Sequence, residues 1–440
     1  MFLIWFRLYN ALLAAAAIFA VPYYGGRMVL TGKYRKSLGP KFGRLAPETA
    51  SLLKGSPRIW VHAVSVGEVT AAAPIVAALR GLFPEACIVL STGTETGQEM
   101  ARKLVTAATA HIYYPLDIPR IVRKVVGLVD PDVFIPVETE LWPNFIRTCR
   151  ARGTRIVLAN GRLSPRSFKR YHATAFFWKE VLAALDEAGV ISETDAERLV
   201  GLGMPAGRVH VLGNAKYDGL AARVSPGLER EIAGRLGIAP GDEVLVAGST
   251  HEGEEAALLD VYRRLLEYRP DFKLILVPRH IERGGAVAEL VRQAGFGDLI
   301  RMTEINAGRS RGDERVILVD VIGELFKIYS LASVVFCGGS LVPKGGQNIL
   351  EAAAWGKVVF YGPHMEDFRD EKALIEEAGA GICIEDGAAL LTGIRELLDR
   401  PDLLRKKGDA GRRAVAANKG AAERYAALIA DVLTRRRSLT

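Results

Sequence analysis

The sequence is poor in the residues that mark several special chemistries. Its 440 residues include only four cysteines, Cys87, Cys149, Cys337 and Cys383, with no CxxC pair. Three of the four stand in or beside apolar runs, which predicts buried, reduced thiols in a cytosolic compartment and argues against a disulfide framework. Seven histidines show no HxxxH pair and no clustering with cysteine, so no structural zinc site is expected. No glycine-rich loop ends in Gly-Lys-Ser/Thr, which excludes a Walker A nucleotide site. Acidic residues are absent before Glu48, and residues 8–26 carry no charge at all.

What is present is an ordinary globular balance, 49% hydrophobic and 25% charged, which excludes a disordered or collagen-like chain. The length suggests two or three domains. The net charge of +8 is unevenly spread. Residues 1–220 hold 27 basic and 17 acidic side chains, while 221–440 hold 31 and 33. A uniformly basic nucleic-acid binder would not divide this way, so no nucleic-acid partner is expected. One half is suited to an anionic surface and the other to a separate task.

The uncharged stretch LYNALLAAAAIFAVPYYGG (8–26) is followed by Arg27, Lys33, Arg35, Lys36, Lys41 and Arg44. It reaches the length of a bilayer span, although its alanines make it a weak one. Trp5, Phe6, Tyr23 and Tyr24 flank it as interfacial aromatics would. The basic run predicts a single-pass anchor in the inner membrane, with the remainder of the chain on the cytoplasmic side and anionic lipid as a partner. The alternatives are a helix buried in the fold and a signal peptide cleaved near Ala20. The second leaves the basic run unexplained.

From Pro57 onward, short β-rich runs alternate with helical stretches. RIWVHAVSV (58–66), ACIVLST (86–92), DVFIPVE (132–138), TRIVLAN (154–160), GVISE (189–193) and RVHVLGN (208–214) form a first set. EVLVAGST (243–250), FKLILVP (272–278), RVILVD (315–320), ASVVFCGGS (332–340) and KVVFYGP (357–363) form a second. Most are apolar throughout, as parallel strands covered on both faces must be. The expected class is α/β, with two doubly wound, Rossmann-like domains facing a cleft. The expected divisions are an anchor over 1–26, domains over 27–220 and 221–420, and a charged, alanine-rich helical tail over 421–440.

Ligands of open parallel sheets bind at the carboxyl ends of the strands, and the unusual residues recur there. SVGE places Glu68 at a helix start directly after a strand, where it either serves the helix dipole or acts as a general base. ETELWPN (138–144) puts Glu138 and Glu140 just past another strand, as acid/base groups or as ion-pair partners. Asp130-Pro-Asp132 resembles a metal-binding DxD but precedes its strand, so turn chemistry is preferred and no metal is expected. NGRLSPRSFKRY (160–171) carries Arg162, Arg166, Lys169 and Arg170 on what reads as a loop, suited to phosphate or carboxylate. GGSLVPKGGQNILEAAAWGK (338–357) is a glycine-rich loop leading into a helix, where backbone N–H groups can approach an anion. Glu351 in that helix can accept hydrogen bonds from ribose hydroxyls. With Pro278-Arg279 and Ile322-Gly323-Glu324, this region would surround one nucleotide.

These motifs, in this order, resemble the 3-deoxy-D-manno-octulosonic acid (Kdo) transferases of lipopolysaccharide assembly. The likeness rests on HAVSVGEV (62–69), STGTETG (91–97), YYPLD (113–117), ETELWPN (138–144), NGRLS (160–164), GNAKYD (213–218), GSTHEGEE (248–255), VPRH (277–280) and GGQNILEAAAWGK (345–357). It implies a GT-B enzyme that moves Kdo from CMP-Kdo to a lipid A precursor, lipid IVA, with inversion and without a cofactor. Glu68 would then be the proton acceptor, and Glu138 and Lys216 would stabilise the transition state. The CMP-Kdo site would comprise Pro278, Arg279, Ile322, Gly323, Glu324, Asn348, Ile349, Leu350 and Glu351. The family more often has Met where Ile322 stands, a mild departure. Arg162, Arg166 and Arg170 are expected to meet the acceptor. The competing readings are a membrane-associated GT-B transferase with a UDP-sugar donor, and a non-catalytic lipid-binding protein of the same fold.

Overall fold

The structure is a computed structural model that describes residues 5–15, 18 and 35–437. The chain forms two compact units. One comprises Met1–Gly219 with Asn418–Thr440, and the other Leu220–Ala417.

The first unit is built on a seven-stranded parallel sheet. Its strands are β1 (Arg58–His62), β2 (Cys87–Thr92), β3 (Ala110–Tyr113), β4 (Val133–Pro136), β5 (Arg155–Gly161), β6 (Glu187–Val190) and β7 (Val209–Val211), in the order β3-β2-β1-β4-β5-β6-β7. The continuous apolar runs are explained by burial on both faces. Along β1, Trp60 enters one core with Val89 and Phe134, while Ile59 and Val61 enter the opposite core with Ile88 and Ile135. Successive strand side chains point to opposite faces, so both must be apolar.

The second unit repeats the plan. Its strands are β8 (Val244–Thr250), β9 (Lys273–Pro278), β10 (Leu299–Arg301), β11 (Val316–Leu318), β12 (Val334–Cys337), β13 (Val359–Tyr361) and β14 (Gly381–Cys383). Their order is β10-β11-β9-β8-β12-β13-β14, again all parallel. Three strands, β3, β10 and β14, have no counterpart among the sequence runs. Each lies at a sheet edge, spans three or four residues and is half-covered at best for part of its length. Such a strand needs no continuous apolar run, and so leaves little signal.

Two expectations are corrected, the loop after β5 and the burial of Cys383. The expected helical tail over 421–440 is a helix through its described residues. The helix Ala421–Arg437 returns to the first unit, where Ala421, Ala422, Tyr425, Ala426, Ile429, Val432 and Leu433 fill one core face. Its alanines let it lie close to the sheet, and each fully buried large side chain contributes about 1.5–3 kcal/mol. The basic stretch after β5 is not a loop. Ser164 caps a helix over Pro165–Ala173, accepting from the Ser167 N–H, with Pro165 at its first turn. Cys383 is exposed, whereas Cys87, Cys149 and Cys337 are buried.

The expected membrane anchor finds no support among the described residues. Residues 16–17 and 19–26 of the expected span lie outside the described residues, and among the described residues no helix is long and apolar enough to cross a membrane. Residues 5–15 are helical and lie against the first unit. Phe6 is buried under the Arg147 guanidinium, 4.6 Å from its ring centre. Tyr9 donates its hydroxyl to Asp117 (2.8 Å), and Asn144 donates its amide to Asn10 (2.9 Å). Asp117 also accepts the N–H groups of Asn144 and Phe145 at the start of the helix Pro143–Ala151, while burial pushes its carboxyl up to about 6. Tyr9→Phe is therefore expected to lower the stability of the first unit by about 1–2 kcal/mol. A drop in the urea midpoint at unchanged m-value would show it, and an unchanged midpoint would mean that the bond is not made in solution.

Candidate active site

Because all seven strands of the first unit run the same way, their carboxyl ends lie along one edge of the sheet. The turn after β1 carries Glu68. Ser65 caps the helix Val66–Leu82, and the Glu68 carboxylate folds back, accepting the Ser65 hydroxyl (2.9 Å) and the Val64 N–H (2.6 Å). The pattern is close to a capping box, so the helix-start role is real. It does not exhaust the group, since a carboxylate has about four acceptor positions and two are used here. Glu68 is only 9% exposed. Burial pushes its carboxyl up to about 7, with the charge of Glu140 raising it further and its hydrogen bonds opposing. A carboxylate poised near neutral pH at a strand end is suited to proton transfer.

Glu138 follows β4 with φ +59°, in the left-handed region, and its N–H bonds the Ala159 carbonyl of the next strand at 2.9 Å. Asn160 repeats this conformation in β5 (φ +51°) and Ser249 in β8 (φ +55°). Three non-glycine residues in this costly conformation at strand carboxyl ends are the kind of strain that clusters at functional sites. Glu140 lies close enough to raise Glu68, and Glu138 in turn raises Glu140. The trio Glu68, Glu138 and Glu140 is thus one acidic cluster, and Tyr171 of the basic helix also senses Glu140. Arg166, Lys169 and Arg170 lie exposed on that helix. Lys216 begins the helix Ala215–Arg223, which the Asn160 side chain tethers by accepting the Ala215 N–H at 2.9 Å. Asp130 and Asp132 stand at the opposite edge. Asp130 ends a helix and pairs with Arg152, and Asp132 accepts the Arg58 N–H, so both serve turns.

In the second unit the expected donor residues lie at the end of β9 and on the segments that follow β9, β11 and β12. Pro278 ends β9, and the Arg279 N–H bonds the Thr250 carbonyl at 3.0 Å. After β11 the chain reaches Ile322, at 81% the most exposed large hydrophobic among the described residues, and then Gly323 at φ +93°. Glu324 is held by Arg235 (3.2 Å) and Lys327 (3.5 Å). Asn348 caps the turn into Leu350–Ala354 by accepting the Leu350 N–H. Burial pushes the Glu351 carboxyl up, with Arg223 pulling it down.

The glycine-rich loop differs from expectation in one respect. The N–H groups of Gly339, Ser340 and Leu341 point at an anion, but that anion is the protein's own Glu254, at 2.8–3.0 Å. Glu254 is 1% exposed and also takes the His251 N–H. At Gly338 an added Cβ would stand 2.5 Å from the Ser249 carbonyl oxygen, so only glycine lets β12 and the end of β8 approach this closely. Glu254 lies within GSTHEGEE, yet nothing in its spacing marks it as the loop's partner.

Residues 36–219 match the family described as 3-Deoxy-D-manno-octulosonic-acid transferase (kdotransferase). A 3-deoxy-D-manno-octulosonic acid transferase of Haemophilus influenzae is 32% identical over 433 residues, covering 98% of this chain and 99% of its own. One from Chlamydophila psittaci is 31% identical over 399 residues, covering 90% and 89%. Among solved structures, a UDP-GlcNAc 2-epimerase from Neisseria meningitidis bound to UDP-GlcNAc is similar at a TM-score of 0.57 and 13% identity, over 85% of this chain and 100% of that one. At that identity the likeness concerns the fold alone.

Proposed function

The chain belongs to the 3-deoxy-D-manno-octulosonic acid transferases, glycosyltransferases of lipopolysaccharide biosynthesis, and from this we propose that it moves Kdo from CMP-Kdo to the lipid A precursor lipid IVA with Glu68 as general base. The observation that carries the assignment is the buried Glu68 carboxylate, poised near neutral pH at the carboxyl end of β1. In the step, Glu68 takes the proton of an acceptor hydroxyl. The oxygen then bonds to the anomeric carbon of Kdo as the carbon–phosphate oxygen bond breaks, and CMP leaves. Attack opposite the leaving group inverts the centre. Glu138 and Lys216 flank the developing charge.

The donor is assigned to Pro278, Arg279, Ile322, Gly323, Glu324, Asn348, Ile349, Leu350 and Glu351. Arg279 suits the single phosphate, and Glu351 suits the ribose hydroxyls. Arg162, Arg166 and Arg170 suit the phosphates of the acceptor. We place the enzyme at the cytoplasmic face of the inner membrane. The uncharged N-terminal stretch and the basic residues after it support contact with anionic lipid, and exposed Leu8, Leu12 and Ile18 support an apolar one.

Incubation with CMP-Kdo and lipid IVA, followed by mass analysis, is expected to give an acceptor heavier by one or more Kdo units together with free CMP. No transfer from CMP-Kdo, with transfer from a UDP-sugar, would overturn the donor assignment.

A further inference from the structure

The helix Ala215–Arg223, which carries Lys216, is held at its start by side chains from far along the chain. Three successive backbone N–H groups each meet an asparagine oxygen. Asn214 donates to Asn418 (2.8 Å), Ala215 to Asn160 (2.9 Å) and Lys216 to Asn214 (3.0 Å). A helix cannot satisfy its first N–H groups by itself. Just upstream, the Leu212 carbonyl accepts Nε and Nη2 of Arg424 (3.0 and 2.8 Å), and the Gly213 carbonyl accepts the Tyr425 hydroxyl (2.8 Å).

The ties also run the other way. Asp218 is buried and accepts the N–H groups of Gly420 (2.6 Å) and Ala422 (2.9 Å) at the start of the last helix. The chain leaves the first unit after Gly219 and re-enters it at Asn418, so these bonds fasten its exit to its return. The same network reaches Glu138. Its N–H bonds the Ala159 carbonyl at 2.9 Å, and the next residue, Asn160, holds the Ala215 N–H. Glu138 and Lys216 thus hang on two neighbouring residues of one strand end. Packing alone does not call for this convergence. Ala421, Ala426, Ile429 and Val432 already seat the last helix in the core, whereas the polar bonds gather on the segment that carries Lys216.

Building on Lys216 as a group that stabilises the transition state, we propose that Asn418 is a positioning residue for Lys216, and that the turn at 418–420 forms with Arg424 and Tyr425 a clasp that fixes the lysine's backbone relative to Glu138. A cation on a preset backbone needs no reorganisation when charge develops in the reaction. Its displacement by about 1 Å costs on the order of 10²-fold.

The test is a double-mutant cycle of Asn418→Ala and Lys216→Ala, read as kcat and KM with CMP-Kdo and lipid IVA. Asn418→Ala removes the acceptor of the Asn214 N–H. It is expected to lower kcat about tenfold and to leave both KM values within about twofold of wild type. Lys216→Ala lowers kcat at least as far. The double variant then matches Lys216→Ala, because an absent lysine cannot be misplaced. Asn418→Asp keeps the acceptor oxygen and retains kcat within about threefold.

Effects that multiply in the double variant overturn the proposal, since a general loosening of the fold acts with or without the lysine. Wild-type kcat in Asn418→Ala overturns it too, as does an Asn418→Asp variant as slow as Asn418→Ala. Should Asn418→Ala not fold, Tyr425→Phe takes its place in the cycle, because it keeps the buried ring and removes only the hydroxyl on Gly213. The role of Lys216 is read separately, in Lys216→Ala. Near-wild-type kcat there overturns that role and the clasp with it, whereas a loss there beside multiplied effects overturns only the clasp.

Discussion

Glu68→Gln is expected to lower kcat/KM by at least ~10²-fold while CMP binding persists, because a positioned base contributes on the order of 10²–10⁴-fold and the amide cannot accept the proton. The sign of the pH dependence follows from the cluster. Glu68 works when ionised, and its carboxyl is raised from the ordinary 4.5 to about 7. Wild-type kcat/KM should therefore climb as pH rises through about 7 and level off above it, and this limb should vanish in the variant. One complication is built into the site. The carboxylate also accepts the Ser65 hydroxyl and the Val64 N–H, and an amide can satisfy only one of these donors well. A modest loss of stability is expected as well, so activity must be compared below the melting transition. Near-normal turnover would remove Glu68 from the mechanism.

The second large effect is expected in the other unit. Glu254→Gln should destabilise it by about 2–6 kcal/mol and weaken CMP binding at least tenfold. The carboxylate receives four backbone N–H groups, from His251, Gly339, Ser340 and Leu341, in a site 1% exposed. Gln turns one of its two acceptor oxygens into a donor, so two of the four N–H groups lose their partners. Each buried unsatisfied group costs about 1–3 kcal/mol. The loop after β12 leads to Asn348–Glu351, so its loosening should reach the donor site. Thermal unfolding and CMP titration read the two effects separately. A variant with the wild-type midpoint and CMP affinity would show that the glycine loop holds its shape without this carboxylate.

Much of this was legible in the residue order. Ten strands announce themselves because a strand covered on both faces must be apolar along its length, as RIWVH and FKLILVP are, while the edge strand β7 is marked only by the valines of RVHV. The edge strands β3, β10 and β14 were not, because short pairing at a sheet border asks little of side chains. Glu68, Glu138 and Arg279 were identifiable because charge directly after a buried strand needs a reason. The helical tail was legible from its alanines, but its packing was not, because charge dominates its composition. Only its alanine and aromatic face meets the sheet, and that face includes Tyr425, fully buried against the first unit. The contacts of the N-terminal helix were hidden for the converse reason. Hydropathy weighed its leucines and alanines, while Tyr9 and Asn10 sought partners in Asp117 and Asn144, more than a hundred residues away.

The sequence by itself determined the two βα sets, the uneven charge, the family resemblance and the strand-end acids, because each depends on residue type and local order. Tertiary structure alone decided which anion the glycine loop serves, where the last helix packs, and how the acidic residues act on one another. Those outcomes depend on distances across the sheet. Glu68 and Glu140 are far apart in the chain, and only the fold brings them close enough for the charge of one to raise the carboxyl of the other. The basic first half thus holds acids at its centre, and burial raises the carboxyls of Glu68 and Glu140 there.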